Sequence, residues 1–305
     1  MNGEPALSVD VCVCTYRRAS LAGTLASLAA LAVRPEWKVR VIVADNDETP
    51  TAQEVVENVR RLVPFPIVYV HAPARNISIA RNACLDAATA MFVAFIDDDE
   101  RASPEWLSAL IKKQEQSGAE VVLGPVRSHY PDACAAWLKR GDFHSIKPVW
   151  VRGEIITGYT SNVLLVRETS ALRGLRFDPK LGRSGGEDTL FFSAVHRAGG
   201  RIDYAPDAVV TEDVVSERLN FFWLMRRSFR SGQTHGLLLL VEQEVGWLPR
   251  LGNLALAVAK AAFCLVCALG NLLRCDRACY WILRGTMHAG VVARLFGVAE
   301  LTQYG

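Results

Sequence analysis

The chain has 305 residues, half of them hydrophobic, and a formal net charge of +2 at neutral pH. That length supports one large domain or two smaller ones, each with a full core. So small a net charge carries no electrostatic argument for nucleic acid, and a positive mean hydropathy is high for a freely soluble protein.

The first 125 residues alternate short apolar runs with helical patterns. VDVCVCT (9–15), VRVIVAD (39–45), IVYVHA (67–72), MFVAFID (91–97) and EVVLGPV (120–126) are rich in Val and Ile, are bounded by turn residues, and predict strands. RASLAGTLASLAALA, TAQEVVENVRRL, ISIARNACLDAATA and SPEWLSALIKKQEQSG carry helical periodicity between them. The last of these predicts Ser103 as N-cap, Pro104 at the first helical position and Gly118 at the end. Strand–helix–strand alternation predicts an α/β fold, Rossmann-like, with a mostly parallel sheet flanked by helices. The middle third is less regular: YTSNVLLVRE (159–168) reads as a strand, and LGRSGGEDTLFFSAVHRAGG (181–200) as a Gly-rich loop entering a helix. RIDYAPDAVVTEDV gives two short strands, and from Glu217 the pattern is helical.

The amino terminus shows no basic region followed by an apolar run, so no secretory signal is expected. Cys264, Cys267, Cys275 and Cys279 sit in continuous apolar, helix-like sequence without zinc-ribbon turns, so they read as small hydrophobes. Leu251–Leu273 is apolar enough to span a bilayer, yet Lys260 falls near its middle. Arg250, Asn253, Lys260, Asn271 and Arg274 form one polar stripe, with Arg277, Arg284 and His288 marking another on the next segment. Apolar helices with a basic stripe predict a region lying in the membrane surface. The expected division is a catalytic unit at 1–235 and a helical, membrane-interfacial region at 236–305.

In open α/β sheets, ligands bind beyond the carboxyl ends of the strands. Thr15, Tyr16 and Arg17 follow the first strand, Asp45 and Asp47 the second, and Asp97, Asp98 and Asp99 the fourth. Neither G-x-G-x-x-G nor a Walker A loop is present, so bound phosphates would need a metal and arginines. Asp97 and Asp99 form a D-x-D pair of hard oxygen donors suited to Mg²⁺ or Mn²⁺. Arg75 and Arg81 bracket Asn76 and the start of the third helix, where they would reach a phosphate or else form surface ion pairs. Glu187 and Asp188 open a helix after two glycines, an arrangement suited to a general base or to simple capping. RRSFRSGQTHG (226–236) brings Arg227, Arg230 and His235, either a diphosphate clamp or a solvated helix face.

VCTYRR, VIVADND, NISIARNACL, FIDDDE and GGEDTLFF occur in the order seen in inverting family 2 glycosyltransferases of the GT-A fold, which the chain resembles over roughly residues 9–235. The resemblance implies that Asp45 contacts the uracil of a UDP-sugar, with the backbone around Thr15 and Tyr16 enclosing it. It implies that Asp97 faces the ribose, Asp99 binds the metal, Arg81 helps hold the nucleotide, and Asp188 activates the acceptor hydroxyl. Many relatives carry a His where this chain has Thr211, so Glu212, His235 or water would supply the third metal ligand. The implied donor is a UDP-sugar, UDP-glucose by resemblance, and the implied acceptor a lipid-linked polyprenyl diphosphate oligosaccharide at the cytoplasmic face of a bacterial inner membrane. The product would enter exopolysaccharide. The alternatives are another nucleotide sugar, a glycoside hydrolase or a non-catalytic membrane scaffold.

Overall fold

The computed structural model describes residues 7–242 and 247–301. Strand β1 (Ser8–Thr15) leads through α1 (Leu21–Ala29) to β2 (Lys38–Asp45), and α2 (Gln53–Val59) leads to β3 (Ile67–His71). Helix α3 (Ile77–Ala87) precedes β4 (Phe92–Asp97) and the short β5 (Glu100–Ala102), and α4 (Trp106–Ser117) precedes β6 (Val121–Leu123) and β7 (Val126–His129). Next come α5 (Ala136–Gly141), the hairpin β8 (Trp150–Val151) and β9 (Glu154–Ile155), and β10 (Asn162–Val166). Helix α6 (Glu187–Arg197), β11 (Ile202–Tyr204) and β12 (Val210–Asp213) complete the α/β part. Helices α7 (Phe221–Glu242), α8 (Trp247–Leu269) and α9 (Cys275–Leu295) follow.

Seven strands form one sheet in the order β11-β6-β10-β4-β1-β2-β3, parallel except for β10, which runs against both neighbours. The mostly parallel α/β architecture expected from the alternation is the one observed. Successive residues of β1 face opposite sides, and both sides are buried. Val9, Val11 and Val13 pack with α1, α2 and α4, while Cys12 and Cys14 pack with α3 and with Phe191 and Phe192 of α6. Burial on both faces is why these strands read as continuous apolar runs. Register places Thr15 beside Asp45 and Cys14 beside Asp97, so the carboxyl ends of three parallel strands share one edge.

Two predicted elements differ. The run 120–126 breaks at Gly124–Pro125, where β6 ends in the main sheet and β7 begins in a second, three-stranded sheet ordered β5-β12-β7. Proline lacks the N–H that a continuous central strand needs. The fourth helix starts at Trp106 rather than after Ser103, because Ser103–Glu105 form a turn closed by the Trp106 amide on the Ser103 carbonyl. Its end at Gly118, with φ 66°, is as expected.

Helices α7 and α9 cross through glycines. A Cβ on Gly232 would strike the Met287 carbonyl, and one on Gly290 the Phe229 carbonyl. Ala257, Cys264 and Ala268 of α8 are buried on the side that packs against α9. Asn253, Lys260 and Asn271 fall on that same flank by helical spacing, so the polar stripe runs beside α9. The opposite face exposes Leu251, Val258, Leu265, Val266 and Leu269. The segment Leu248–Leu269 is long and apolar enough to cross a membrane, and little of it is buried.

Candidate active site

A cavity of about 660 Å³ opens at the carboxyl edge of the sheet, roofed by α6 and α7. Asp97, Asp98 and Asp99 enter it from the β4–β5 turn, Glu187 and Asp188 from the start of α6, and Arg227, Arg230 and His235 from α7. Thr15 and Tyr16 line its wall beyond β1, and Arg81 of α3 its floor. The predicted base, the D-x-D pair, the nucleotide-side Thr and Tyr and the α7 cations therefore meet in one place.

The four consecutive acids divide by what they touch. Asp98 accepts from the Thr15 hydroxyl at 2.7 Å, and Glu100 accepts the Asp97 amide at 2.9 Å. These two are buried and hold the turn. Among the described residues Asp99 has only distant partners, Arg18 at 3.9 Å and Arg218 at 3.8 Å. Burial, partly offset by Arg81 and aggravated by Asp99 and Asp98, pushes Asp97 up to about 7. Burial likewise pushes Asp98 up to about 6 and Glu100 well above the usual carboxylate range. Burial and mutual repulsion thus oppose ionisation of these carboxyls, and the nearby arginines offset this only in part.

Glu212 adds to it. In the three-stranded sheet Glu212 pairs with Glu100 and lines the cavity, and burial with the nearby Asp99 raises its pKa. The neighbouring Thr211 is exposed and turns away, its hydroxyl reaching the Arg101 carbonyl at 3.5 Å. Asp97, Asp99 and Glu212 thus offer hard oxygen donors whose repulsion Arg81 and Arg218 offset only in part, a donor chemistry that fits Mg²⁺ or Mn²⁺. No three His, Cys, Asp or Glu side chains among the described residues are gathered at ligation distance. Such ions are commonly held by one or two carboxylates together with substrate phosphates.

Arg81 is the buried counter-charge between the two acidic groups. It bonds Glu187, stands over the Phe177 ring at 5.6 Å, and pulls the pKa values of both Asp97 and Asp188 down. Even so, burial and the adjacent Glu187 carboxylate push Asp188 up to about 6. Its Oδ1 accepts the Thr189 amide at 2.7 Å, which fixes the carboxylate's rotation. Gly186, the N-cap of α6, has φ 90° and lies against Thr234, so only glycine brings Asp188 this close to α7. Arg230 bonds the Ser184 carbonyl, and the half-buried Arg227 lies near Glu212.

Five sequence candidates do not line the cavity. Asp45 is buried, and its carboxylate accepts from the amides of Asp47 and Ala52 and from the Tyr69 hydroxyl at 2.7 Å. Asp47 is tied to Arg17 at 2.9 Å and to Thr51, and the Arg17 bond holds its carboxyl down at about 2. Arg17 has φ 53°, which turns it away from the cavity, and it is Arg18 that lines the wall. Arg75 pairs with Glu48 at 3.4 Å on the surface. Asn76 caps α3 and donates to the Pro179 carbonyl at 2.8 Å.

Sequence reading did not single out Arg18, Arg218 or Trp223. Arg218 bonds Glu212 and approaches Asp99. The Trp223 indole stacks on His144 at 5.4 Å, with Arg218 and Arg227 over its ring. An arginine beside an arginine and a tryptophan in a helical run carry no local signal of this role.

A Rossmann-like mixed sheet with a D-x-D turn and an acid-headed helix at its carboxyl edge is the frame of a glycosyltransferase. The glycosyl transferase family 2 profile matches residues 10–171, and the chain belongs to that family: it is a glycosyltransferase. It is 51% identical to the succinoglycan biosynthesis protein ExoM of Rhizobium meliloti over 98% of this chain and 96% of that one. It is 27% identical to the glucosyl-dolichyl phosphate glucuronosyltransferase of Haloferax volcanii, over 74% of this chain and 75% of that one. Among solved structures, a mannosyltransferase of Pyrobaculum calidifontis in complex with GDP-Man and Mn²⁺ superposes with a TM-score of 0.65 at 19% identity, covering 95% of this chain and 88% of that one. S. aureus TarS 1–349 in complex with UDP gives 0.54 at 17% identity, covering 93% and 90%.

Proposed function

We propose that the chain transfers a sugar, glucose in our reading, from a UDP-sugar to a lipid-linked oligosaccharide, with inversion, in assembly of a succinoglycan-like exopolysaccharide. The observation that carries this is the single cavity in which Asp188 and the Asp97–Asp99 turn stand on either side of the buried Arg81. The near-full-length similarity to ExoM supports the polysaccharide assignment. The named substrate of the Haloferax relative supports a lipid-linked acceptor.

In this reading Asp188 accepts the proton of the acceptor hydroxyl. The new bond forms to the anomeric carbon as its bond to the diphosphate breaks, and UDP leaves with the electron pair. A pKa near 6 leaves Asp188 ionised at neutral pH yet basic enough to take a proton. Asp97 and Asp99, with Glu212 or His235, would hold Mn²⁺ or Mg²⁺. Once bound, the ion would offset charge developing on the departing diphosphate. Arg227 and Arg230 add positive charge on the α7 side. The catalytic unit is residues 1–235, of which 1–6 lie outside the described residues. Residues 236–305, of which 243–246 and 302–305 lie outside the described residues, hold it peripherally or monotopically on the cytoplasmic face of the membrane. Helix α7 runs unbroken from one unit into the other.

The test is incubation with a panel of labelled nucleotide sugars, with and without EDTA, scoring label in the lipid extract. UDP-glucose should label the extract only without chelator. Asp188→Asn should abolish labelling while UDP still raises the melting temperature. Normal transfer by that variant would refute the assignment of the base.

A further inference from the structure

Apart from the catalytic cavity, a second hollow of about 530 Å³ opens where α5 meets the α8–α9 turn. Arg140 and Phe143 form one wall, and Arg277, Tyr280 and Trp281 of α9 the other. Arg140 reaches Asp276 only at 3.8 Å, and Arg277 enters no ion pair among the described residues. The hollow is thus lined by two arginines and one carboxylate, and the start of α9 adds the positive end of its dipole.

The turn beside the hollow is apolar and unprotected. Leu272 is 67% exposed and Leu273 fully so. They continue the exposed apolar face of α8. Tyr and Trp next to arginine, at the border of such a face, are the side chains that settle at a bilayer's headgroup level. Guanidinium matches phosphate with paired donors. Asn271, next in the chain to these leucines, lines the hollow, so a bilayer that took up the leucines would lie beside it.

We propose that this hollow seats the phosphate of an anionic phospholipid headgroup while Leu272 and Leu273 enter the acyl layer beside it. The proposal rests on the membrane-surface reading above and adds a headgroup preference to it. No glycosyl transfer is needed to test it.

The experiment is co-sedimentation of the full chain with vesicles of phosphatidylcholine alone or mixed with phosphatidylglycerol. Each basic residue at an anionic surface contributes about 1 kcal/mol, so Arg140→Gln with Arg277→Gln should weaken binding to the mixed vesicles by about 30-fold. Binding to phosphatidylcholine should not change. Asp276→Asn should strengthen binding to the mixed vesicles by about fivefold; if the Arg140–Asp276 pair merely tied α5 to α9, it would weaken it instead. Leu272→Ser with Leu273→Ser should weaken binding to both vesicle types. Circular dichroism and UDP-dependent melting of each variant report that the fold is intact. Equal binding of the parent to both vesicle types would overturn the headgroup pocket and leave the membrane reading standing. Binding to neither would overturn both. An arginine double variant that keeps the phosphatidylglycerol preference would also overturn the pocket.

Discussion

Replacing Arg81 by methionine removes the buried cation on which both acidic groups depend. Arg81 is 7% exposed, its partner Glu187 is 5% exposed, and Glu187 Oε2 has no hydrogen-bond partner among the described residues. Removing one member of such a pair leaves a buried, uncompensated carboxylate and costs about 3–5 kcal/mol. At about 2–4 °C per kcal/mol for a chain of this size class, the melting temperature should fall by about 10 °C. The effect on chemistry has a definite sign. Arg81 holds the Asp188 pKa down, so without it the pKa rises above about 6 and the base stays protonated to higher pH. The rising limb of the rate–pH profile should therefore move toward alkaline pH. Urea denaturation followed by circular dichroism measures the first effect, and initial rates across pH the second. Adding Glu187→Leu to the variant should recover part of the stability, since it removes the orphaned charge. A loss below about 1 kcal/mol with an unmoved pH profile would refute the counter-charge argument.

The acidic turn makes stability depend on pH and on cations. Asp97 and Asp98 have folded-state values raised to about 7 and about 6 from 3.8, so their contribution is fully present below about 4 and lost as pH climbs through 7. In EDTA the melting temperature should drop between about pH 4 and pH 7, and Mn²⁺ should reduce that drop; scanning fluorimetry with and without chelator reads both. Gly232→Val should drive a side chain into the Met287 carbonyl and part α7 from α9, with a loss of about 1–3 kcal/mol or more by urea titration. Asp45→Ala should cost about 1.5–3 kcal/mol, because a charged acceptor serving two amides and a tyrosine disappears. A variant that weakened UDP binding while melting normally would show that Asp45 acts on the nucleotide rather than on the turn.

The sequence by itself determined the sheet and its edge. Val- and Ile-rich runs separated by helical patterns leave few ways to bury both faces of each strand, and parallel strands with helical crossovers are the economical one. That topology alone sends residues 15–16 and 97–99 to the same edge. The ordered motifs GGEDTLFF and FIDDDE then marked the two acidic groups. What neighbouring side chains do at that edge was decided by the tertiary structure. Arg17 and Arg18 are equivalent in the sequence, but a left-handed backbone at Arg17 turns it toward Asp47 and leaves Arg18 at the cavity. Within D-D-D-E, Asp98 and Glu100 are taken up by Thr15 and a backbone amide, leaving Asp97 and Asp99 for the cavity. Glu212 faces inward only because β12 pairs with β5 in a second sheet, more than 100 residues from its partner in sequence. The stripe on α8 is visible in the sequence, whereas its direction toward α9 follows from packing at Ala257, Cys264 and Ala268. Periodicity reports which residues must leave water, and it is set by local backbone geometry. The direction of a charged side chain depends on single dihedral angles and on partners that only the folded chain brings near.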